Sequence, residues 1–343
     1  MPAMKIFQNL CAAIVFCVIP FSVMEAKTVY VNNQIGNDQF SGAQEDNSVK
    51  GTGPVRTISQ ALQLAGHCDT ISIANTGKPY QETLALSSSR NSGDAEFPFI
   101  IEGNGAVLDG RVKIDHTLWQ YYRAVKTKKD GKEETIGDIF RLEIGKYFPN
   151  NVQYGMIYVD MCPIPNYPVG VYTPTGILLG EMEATIDNGW LYFRPEKGKR
   201  PDDYEIDITS LRVGITVTQV QFAVIRGLVI QGYQLDGVAL ANSAYDVLLD
   251  QCTVRGNGRA GYSIGSASRG TLKGCLINSN GMADVLTLPN SRISLLGCQL
   301  DGDFGPRWVD QSGSGDARAT FYMDGKWIKA PTPEPGAQTE EKP

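Results

Sequence analysis

Five charged residues in the C-terminal half of the chain recur where a turn gives way to an apolar stretch, and they are the best candidates for chemistry. If they share one face, their carboxylates can hold Ca²⁺, and an arginine can act as a base or as a clamp for a substrate carboxylate. A solvated surface of alternating charge is the alternative, because isolated surface charges usually have that role. The candidate catalytic residues are Asp236, Arg259, Asp284, Arg307 and Asp310, with Arg255 nearby.

A sequence repeat underlies these positions. Cys252, Cys275 and Cys298 are separated by 23 residues each time, and Val229 takes the same column one row earlier. Four rows of that length align without gaps, starting at Phe222, Tyr245, Ser268 and Ser291. Each row holds short, partly alternating apolar stretches divided by Gly, Asn, Asp and Ser, which is typical of strands and turns.

The length of the repeat predicts the fold. A period in the low twenties is typical of a solenoid. Leucine-rich repeats have a similar period, but their spaced leucines and asparagine column are missing here. Three short strands per repeat instead predict a parallel β-helix.

Two columns of the repeat predict interior ladders. Coils stacked about 4.8 Å apart would place the three thiols in one line. We interpret that line as core packing by small apolar side chains, rather than as a redox or metal site. Asn257 and Asn280 share a second column with Asp303 below them, and stacked turn asparagines usually satisfy backbone groups.

The segment before the rows has its own organisation. A strand-like TVYV and a Gly-Asn-Asp turn precede a loop ending in GTGP, and a helix is predicted to follow. Thr57 and Gln60 form a capping-box pair at its start, and Gly66 supplies its stop. Its apolar face is made by Ile58, Ala61, Leu62 and Ala65. Such a helix would cover the open end of a solenoid.

This N-terminal segment resembles the opening region of bacterial right-handed β-helix proteins of the pectate-lyase-like superfamily. Cys68 replaces the glycine that usually precedes the aspartate of that pattern. Together with the four rows, the resemblance covers roughly half of the mature chain, on a fold that carries many functions. The match is carried by Tyr30-Val31, Gly36, Asp38, Gly51-Thr52, Pro54, Thr57-Ile58, Ala61, Asp69, Ile71, Tyr80, Glu82 and the FPFIIEG stretch ending at Gly103.

The resemblance implies an association with polysaccharide. Enzymes of similar fold cleave polysaccharides at one outer face of the coils. Hydrolysis requires paired carboxylates about 5 to 9.5 Å apart. β-Elimination requires a base of lowered pKa together with Ca²⁺ or arginine.

The motifs of such enzymes are missing from the rows. The pectin hydrolases have an adjacent aspartate pair and a Gly-His-Gly, but His67 and His116 lie outside the rows and Asp202-Asp203 is predicted to form a turn. The Trp-Ile-Asp-His and Arg-x-Pro-x-x-Arg stretches of pectate lyases are absent as well. A non-catalytic carbohydrate-binding module and a structural envelope protein therefore stay open beside a lyase or hydrolase.

The middle of the chain departs from the repeat. Aromatic-rich stretches alternate with polar turns, which predicts a β-rich insertion, and similar proteins carry a phrase resembling GWLYFRP in such a module. A sugar-stacking surface is one interpretation of its aromatic residues. We favour the small core of the module, because aromatic residues dominate small cores. The residues concerned are Trp119, Trp190, Tyr192 and Tyr121.

The N-terminus reads as a signal peptide. Lys5 precedes an apolar run that is shorter than the roughly 20 residues needed to span a bilayer, and cleavage is predicted near Ala26. Removal of Lys5 and Glu25 leaves the net charge at −6, which argues against nucleic acid or an anionic membrane but leaves room for a local basic groove. Five cysteines remain, without the spacing of a disulfide framework or a zinc site.

These observations predict an all-β protein, a right-handed parallel β-helix solenoid with an N-terminal capping helix and a β-rich insertion. It is expected to be secreted or periplasmic, with a polysaccharide as its partner, no nucleic acid and no membrane insertion after signal cleavage. A lyase would use Ca²⁺ as its cofactor, and the sequence indicates neither another cofactor nor an oligomeric state. The predicted parts are the signal peptide (1–26), the cap and first coils (27–111), the insertion (112–212), the repeats (213–330) and a disordered tail (331–343).

Overall fold

A computed structural model describes residues 26–145, 154–164, 172–173, 176–177, 179–313 and 318–328. The predicted tail and all of the predicted signal peptide except Ala26 lie outside these residues. Of these described residues, 47% are in strands and 6% in helices, which confirms the all-β class. No helix of the described part is long and apolar enough to cross a membrane.

The N-terminal part contains one α-helix, one short 3-10 helix (Ser89–Asn91) and six strands. Each strand is three or four residues long, and most of them alternate buried with more exposed side chains. The elements are β1 (Thr28–Val31), α1 (Ile58–Leu64), β2 (Thr70–Ile73), β3 (Leu84–Ser87), β4 (Phe99–Glu102), β5 (Val107–Asp109) and β6 (Arg111–Lys113).

The middle of the chain forms antiparallel strands, of which β7 and β8 are the longest. Two four-stranded sheets have the orders β10-β9-β15-β6 and β13-β14-β8-β7, and β11 pairs with β12. The strands are β7 (Gln120–Lys129), β8 (Lys132–Glu143), β9 (Ile157–Val159), β10 (Cys162–Ile164), β11 (Tyr172–Thr173), β12 (Gly176–Ile177), β13 (Glu183–Asp187), β14 (Trp190–Arg194) and β15 (Ile206–Thr209).

The C-terminal part returns to short strands that recur in threes. They are β16 (Ile215–Thr218), β17 (Gln221–Arg226), β18 (Val229–Gln231), β19 (Asp236–Ala241), β20 (Tyr245–Asp250), β21 (Thr253–Arg255), β22 (Ala260–Ile264), β23 (Arg269–Lys273), β24 (Leu276–Asn278), β25 (Ala283–Thr287), β26 (Arg292–Leu296), β27 (Gln299–Leu300), β28 (Trp308–Asp310), β29 (Thr320–Met323) and β30 (Lys326–Ile328).

These short strands make three parallel sheets. Sheet A has the order β1-β2-β4-β17-β20-β23-β26-β29-β30, sheet B β27-β24-β21-β18-β5, and sheet C β28-β25-β22-β19-β16-β3. Within them only the terminal pair, β29 with β30, is antiparallel. Side chains of all three sheets meet in one buried cluster that includes Ile225, Ile230 and Val238. The parallel stack therefore has a shared core.

The N-terminal strands stack directly on the repeats, although about a hundred residues separate them in sequence. Phe99 of β4 pairs with Ala223 of β17, and Val107 of β5 pairs with Val229 of β18. The antiparallel sheets thus lie outside a continuous ladder. Arg111 and Tyr158 join the two parts: Arg111 forms an ion pair with Asp109 at 2.7 Å and lies 4.4 Å from the Tyr158 ring centroid.

A glycine lets the antiparallel part approach the repeats closely. A Cβ at Gly258 would lie 1.5 Å from the backbone oxygen of Tyr154. Nearby, the Tyr158 hydroxyl donates to the Gly256 carbonyl oxygen at 2.7 Å. Any larger side chain at position 258 would separate the two surfaces.

The gapless alignment of the first row is wrong by one residue. Val229 pairs with Thr253 and not with Cys252, so Leu228 occupies the cysteine column. The pairing of β17 with β20 in sheet A confirms this shift, since Gln221 pairs with Tyr245. The first coil therefore has 24 residues rather than 23. A slip of one residue exchanges the two faces of a strand, and Leu228 is accordingly buried while Val229 is half-buried.

The helix α1 forms where it was predicted but ends differently. Its N-cap is Thr57, whose Oγ1 accepts from the Gln60 amide at 3.1 Å. It ends at Leu64 with Ala65 as its C-cap, so Gly66 is not the residue that stops it. The Gly66 amide donates to Asp69 instead. Ile58, Ala61 and Leu62 join the core of the parallel sheets.

Candidate functional site

Asp236 and Arg259 are the two predicted site residues that the fold brings into direct contact. Asp236 begins β19 and is fully buried, and Arg259 immediately precedes β22 on the next coil. The guanidinium donates twice to the carboxylate, with Nε 2.8 Å from Oδ1 and Nη2 bonded to Oδ2. The Ser263 hydroxyl donates to the same Oδ2 at 2.7 Å. Both carboxylate oxygens are therefore occupied by neighbours on the adjacent coil.

The contact with Asp236 also changes the acidity of Arg259. The hydrogen bond from the guanidinium raises the pKa of Arg259 above its usual value. A base in β-elimination requires the reverse, a lowered pKa. The geometry therefore favours Arg259 as a partner of Asp236 over Arg259 as a base.

Asp284 is the most perturbed carboxyl group of the predicted set. It lies in β25, is 1% exposed, and burial raises its pKa to about 6. Its Oδ1 accepts from Asn280 Nδ2 at 3.0 Å and its Oδ2 from the Gly302 amide at 2.9 Å. The side chain is thus held by its own turn and the following coil.

The remaining candidates have separate surroundings. Asp310 accepts from the Thr287 hydroxyl at 3.0 Å and from the Ser312 hydroxyl at 2.6 Å. Arg255 donates to Gln231 at 2.9 Å. Arg307 is exposed and forms no ion pair with any described residue. Of the six residues, only Asp236 and Arg259 share a direct contact.

Both predicted ladders form, but the last member of each column, Cys298 or Asp303, is not buried. Cys252 and Cys275 are buried, whereas Cys298 is half-buried, and all three are free thiols. Asn257 accepts from the Tyr233 amide at 3.0 Å, and Asn280 accepts from the Asn257 amide at 3.0 Å. The structural role of the asparagines is confirmed.

Two further expectations about these columns can be checked. Asp303 does not continue the asparagine ladder, because it is exposed and bonded to the Ser279 hydroxyl at 3.2 Å. Within the described residues no three His, Cys, Asp or Glu side chains are arranged to hold a metal ion. Cys252 and Cys275 belong to the core of the parallel sheets, and Cys298 packs against it.

The aromatic residues of the antiparallel part divide into two groups. Trp119, Trp190 and Tyr192 pack in or against the cores of that part, as predicted. Tyr121 is 60% exposed and contacts Phe140 only edge-on, at a centroid distance of 6.1 Å. Core packing thus explains three of the four.

A surface that the sequence analysis did not identify lies at the C-terminal end of sheet A. Tyr322 of β29 and Trp327 of β30 are direct cross-strand partners, so their rings are on the same face. The neighbouring Phe321 is in the core, which places Tyr322 and Trp327 on the outer face of the sheet. Trp327 is 56% exposed.

Arginines extend this outer surface along the sheet. Arg292 lies 5.1 Å from the Tyr322 ring centroid, and Arg269 lies 5.4 Å from that of Tyr245. Arg269 and Arg292 are direct partners in neighbouring strands, and both are exposed. We call these five residues the aromatic–arginine patch.

The sequence contains a local signal for the hairpin that carries part of this patch. Asp324 and Gly325 separate two short stretches that contain aromatic residues, and an Asp-Gly pair in that position is a strong hairpin signal. Both residues have positive φ angles in the structure, 47° and 77°. The hairpin could have been predicted, but not the arginines that lie beside it.

Part of the chain matches a family model. Residues 213–316 match the family model described as a right-handed β-helix region. This match and the three parallel sheets support a β-helix region at residues 213–316. A solved structure described as the complex of XylC with xylose is similar over 83% of this chain and 68% of that chain, with 11% sequence identity and a TM-score of 0.38. No curated protein matches the chain at a significant level.

Proposed function

We propose that the chain is an exported β-helix protein of the pectate-lyase-like type that binds an extracellular acidic polysaccharide through the aromatic–arginine patch. In this proposal residues 1–26 direct export, and the three sheets wind as one right-handed solenoid whose N-terminal end is covered by α1. Release into the periplasm or the medium gives the protein access to its ligand.

The pairing of Arg269 with Arg292 carries the proposal. Like charges directly opposite each other in neighbouring strands are destabilising. Neither arginine forms an ion pair with a described residue. An anionic ligand lying across the two strands would remove this repulsion and satisfy both guanidinium groups.

The aromatic residues of the patch supply the complementary contact. Sugar rings have apolar faces that stack on accessible aromatic side chains. The exposed Trp327 and the half-buried Tyr322 present two such rings side by side. Guanidinium groups beside the rings suit a sugar that carries a carboxylate. The chain is acidic overall, with a net charge of −6, so this basic surface is local.

Binding to polygalacturonate and to a neutral dextran of similar length tests the proposal. Arg292→Ala and Trp327→Ala should each lower the affinity for polygalacturonate at least about fivefold, a loss of roughly 1 kcal/mol. Lys129→Ala removes the same charge from the exposed β7–β8 hairpin, and Tyr121→Ala removes an exposed aromatic ring there. Both control variants should bind like the wild type. Equal binding of dextran, or unchanged affinity in both patch variants, would refute the proposal.

Catalysis at the predicted site is the second candidate, and the raised pKa of Asp284 favours it. A carboxyl group with a pKa of about 6 is suited to donate a proton near neutral pH. Incubation with acidic and neutral polysaccharides, with and without Ca²⁺, should then give unsaturated-uronate absorbance or new reducing ends. Absorbance that disappears in Arg307→Ala, at an exposed arginine without an ion pair to a described residue, would indicate a lyase. Reducing ends without absorbance would indicate a hydrolase, and binding without either product would support a non-catalytic role.

A further inference from the structure

The backbone of Lys27, close to the start of the described residues, is held by a buried carboxylate. The backbone nitrogen of Lys27 donates to Asp69 Oδ1 at 2.9 Å, and Asp69 is 5% exposed. The other oxygen, Oδ2, accepts from the Gly66 amide at 2.6 Å. Beyond this point β1 pairs with β2, starting with Thr28 opposite Thr70. Asp69 thus accepts a backbone hydrogen bond from the residue just before the first strand.

The charge of Asp69 is only partly compensated by this arrangement. The nearest cation is Lys27 Nζ, 3.8 Å from Oδ2, and that side chain is 59% exposed and also donates to the Leu64 carbonyl oxygen at 2.9 Å. A buried carboxylate is costly unless a cation and hydrogen bonds satisfy it together. The Lys27 group that donates to Oδ1 is a neutral amide as long as Ala26 remains attached to it.

We propose that Asp69 is the acceptor for a free α-ammonium group on Lys27, produced by cleavage of the Ala26–Lys27 bond. Hydrolysis of this peptide bond consumes one water molecule and leaves a carboxylate on Ala26 and an ammonium on Lys27. The amide hydrogen bond to Asp69 then becomes a charge-assisted one, which is shorter and about twice as strong. Export processing would therefore complete an ion pair between the new N-terminus and the buried carboxylate of Asp69 at the start of sheet A. The inference rests on the export part of the proposed function.

The surroundings allow this processing. Ala26 and Lys27 are both exposed, so the bond between them is accessible to a leader-peptide protease. Lys27 also lines an open cleft together with Gly66, His67 and Arg90. Cleavage of this bond leaves β1, which begins at Thr28, intact.

Two chains that differ only at the N-terminus test the inference. One begins at Lys27, released from a cleavable fusion, and the other carries a short Gly-Ser extension before Ala26. At pH 6.5, where α-amino groups are protonated, the folding equilibrium constant should be about tenfold larger for the chain that begins at Lys27. In Asp69→Asn the two N-termini should give equal constants. Equal constants with native Asp69 would overturn the inference, and this comparison does not depend on the folding of the variant.

The N-terminus of the exported chain supplies a second measurement. Mass spectrometry of protein recovered from the periplasm or medium should find Lys27 as the first residue. Cleavage at a different bond would contradict the proposed site. Failure of export would refute that part of the proposed function, while the comparison of the two purified chains would still decide whether Asp69 binds the ammonium.

Discussion

The guanidinium of Arg259 lies against the carboxylate of Asp236 on the preceding coil, with Nε 2.8 Å from Oδ1, and Ser263 holds the same carboxylate from the next strand. The two charged residues occupy successive coils, 23 positions apart in sequence. This contact links β19 to β22 at the start of both strands. It also removes Asp236 from the list of free carboxylates that hydrolysis would need.

Arg259→Ala should destabilise the protein, because it leaves a buried carboxylate without its cation. The loss in the free energy of unfolding should be about 2 to 3 kcal/mol, since Arg259 is itself partly exposed. Urea denaturation measures it. Arg255→Ala is the matched control, because this exposed arginine donates to neutral Gln231, and it should cost less than about 1 kcal/mol. Unchanged stability in Arg259→Ala would show that the pair is not structural.

The free energy of unfolding should respond to the titration of Asp284. Its pKa in the folded protein, about 6, is above the usual value, so the folded state binds this proton more tightly than the unfolded chain does. The contribution is fully present below about pH 4 and is lost as the pH rises through about 6; it amounts to roughly 1 to 2 kcal/mol. Urea midpoints of wild type and Asp284→Asn from acidic to neutral pH measure the difference. Parallel curves for the two proteins would contradict the prediction.

The register of the first coil can be checked by two neighbouring substitutions. Leu228 is 1% exposed, so Leu228→Ala should cost about 2 to 5 kcal/mol of unfolding free energy. Val229 is half-buried on the other face of the strand, so Val229→Ala should lower the unfolding free energy by less than about 1.5 kcal/mol. Thermal or urea denaturation distinguishes the two. The opposite order would restore the gapless alignment.

The cysteine ladder should show a gradient of reactivity. Burial raises the pKa of Cys252 to about 12, whereas the hydrogen bond from Cys275 lowers that of the half-buried Cys298. In a chain with Cys68 and Cys162 changed to serine, iodoacetamide at neutral pH should modify Cys298 at least about tenfold faster than the other two. Peptide mapping measures the rates. Equal rates in the folded protein would contradict the assigned burial.

Binding of an acidic polysaccharide should weaken with salt, because the arginines of the patch are exposed. Affinity for polygalacturonate should fall markedly between about 0.02 and 0.3 M NaCl, as screening shortens the range of the charges. Arg269→Ala and Arg292→Ala should reduce this dependence. Trp327→Ala should lower the affinity but keep the salt dependence. A dependence that is unaffected by either arginine would assign the binding to another surface.

Much of the architecture could be predicted from local pattern. Alternating apolar residues and turn residues predict strands, and cysteines at constant spacing predict the order in which they stack. The start of the helix could be predicted from the capping pair of Thr57 and Gln60, which are three residues apart. The coil of 24 residues could not be recognised, because a row aligned one residue out of place still places an apolar side chain, Val229, in the cysteine column.

The candidate sites depended on tertiary structure to different degrees. The contact between Asp236 and Arg259 follows from coil stacking, which the repeat predicts. The repeat does not predict which carboxylates already accept hydrogen bonds. Asp284 and Asp310 accept them from a backbone amide and a hydroxyl in nearby turns. Hydrogen bonds of that kind depend on positions within about 3 Å, which a sequence pattern does not specify.

By itself the sequence determined the all-β class, the repeating coils and the asparagine ladder, because each depends on residue type and spacing within or between neighbouring rows. The aromatic–arginine patch was decided only by the tertiary structure. Its residues come from five strands: Tyr245 in β20, Arg269 in β23, Arg292 in β26, Tyr322 in β29 and Trp327 in β30. They form one surface because parallel stacking places each strand about 4.8 Å from the next, whatever the length of the chain between them.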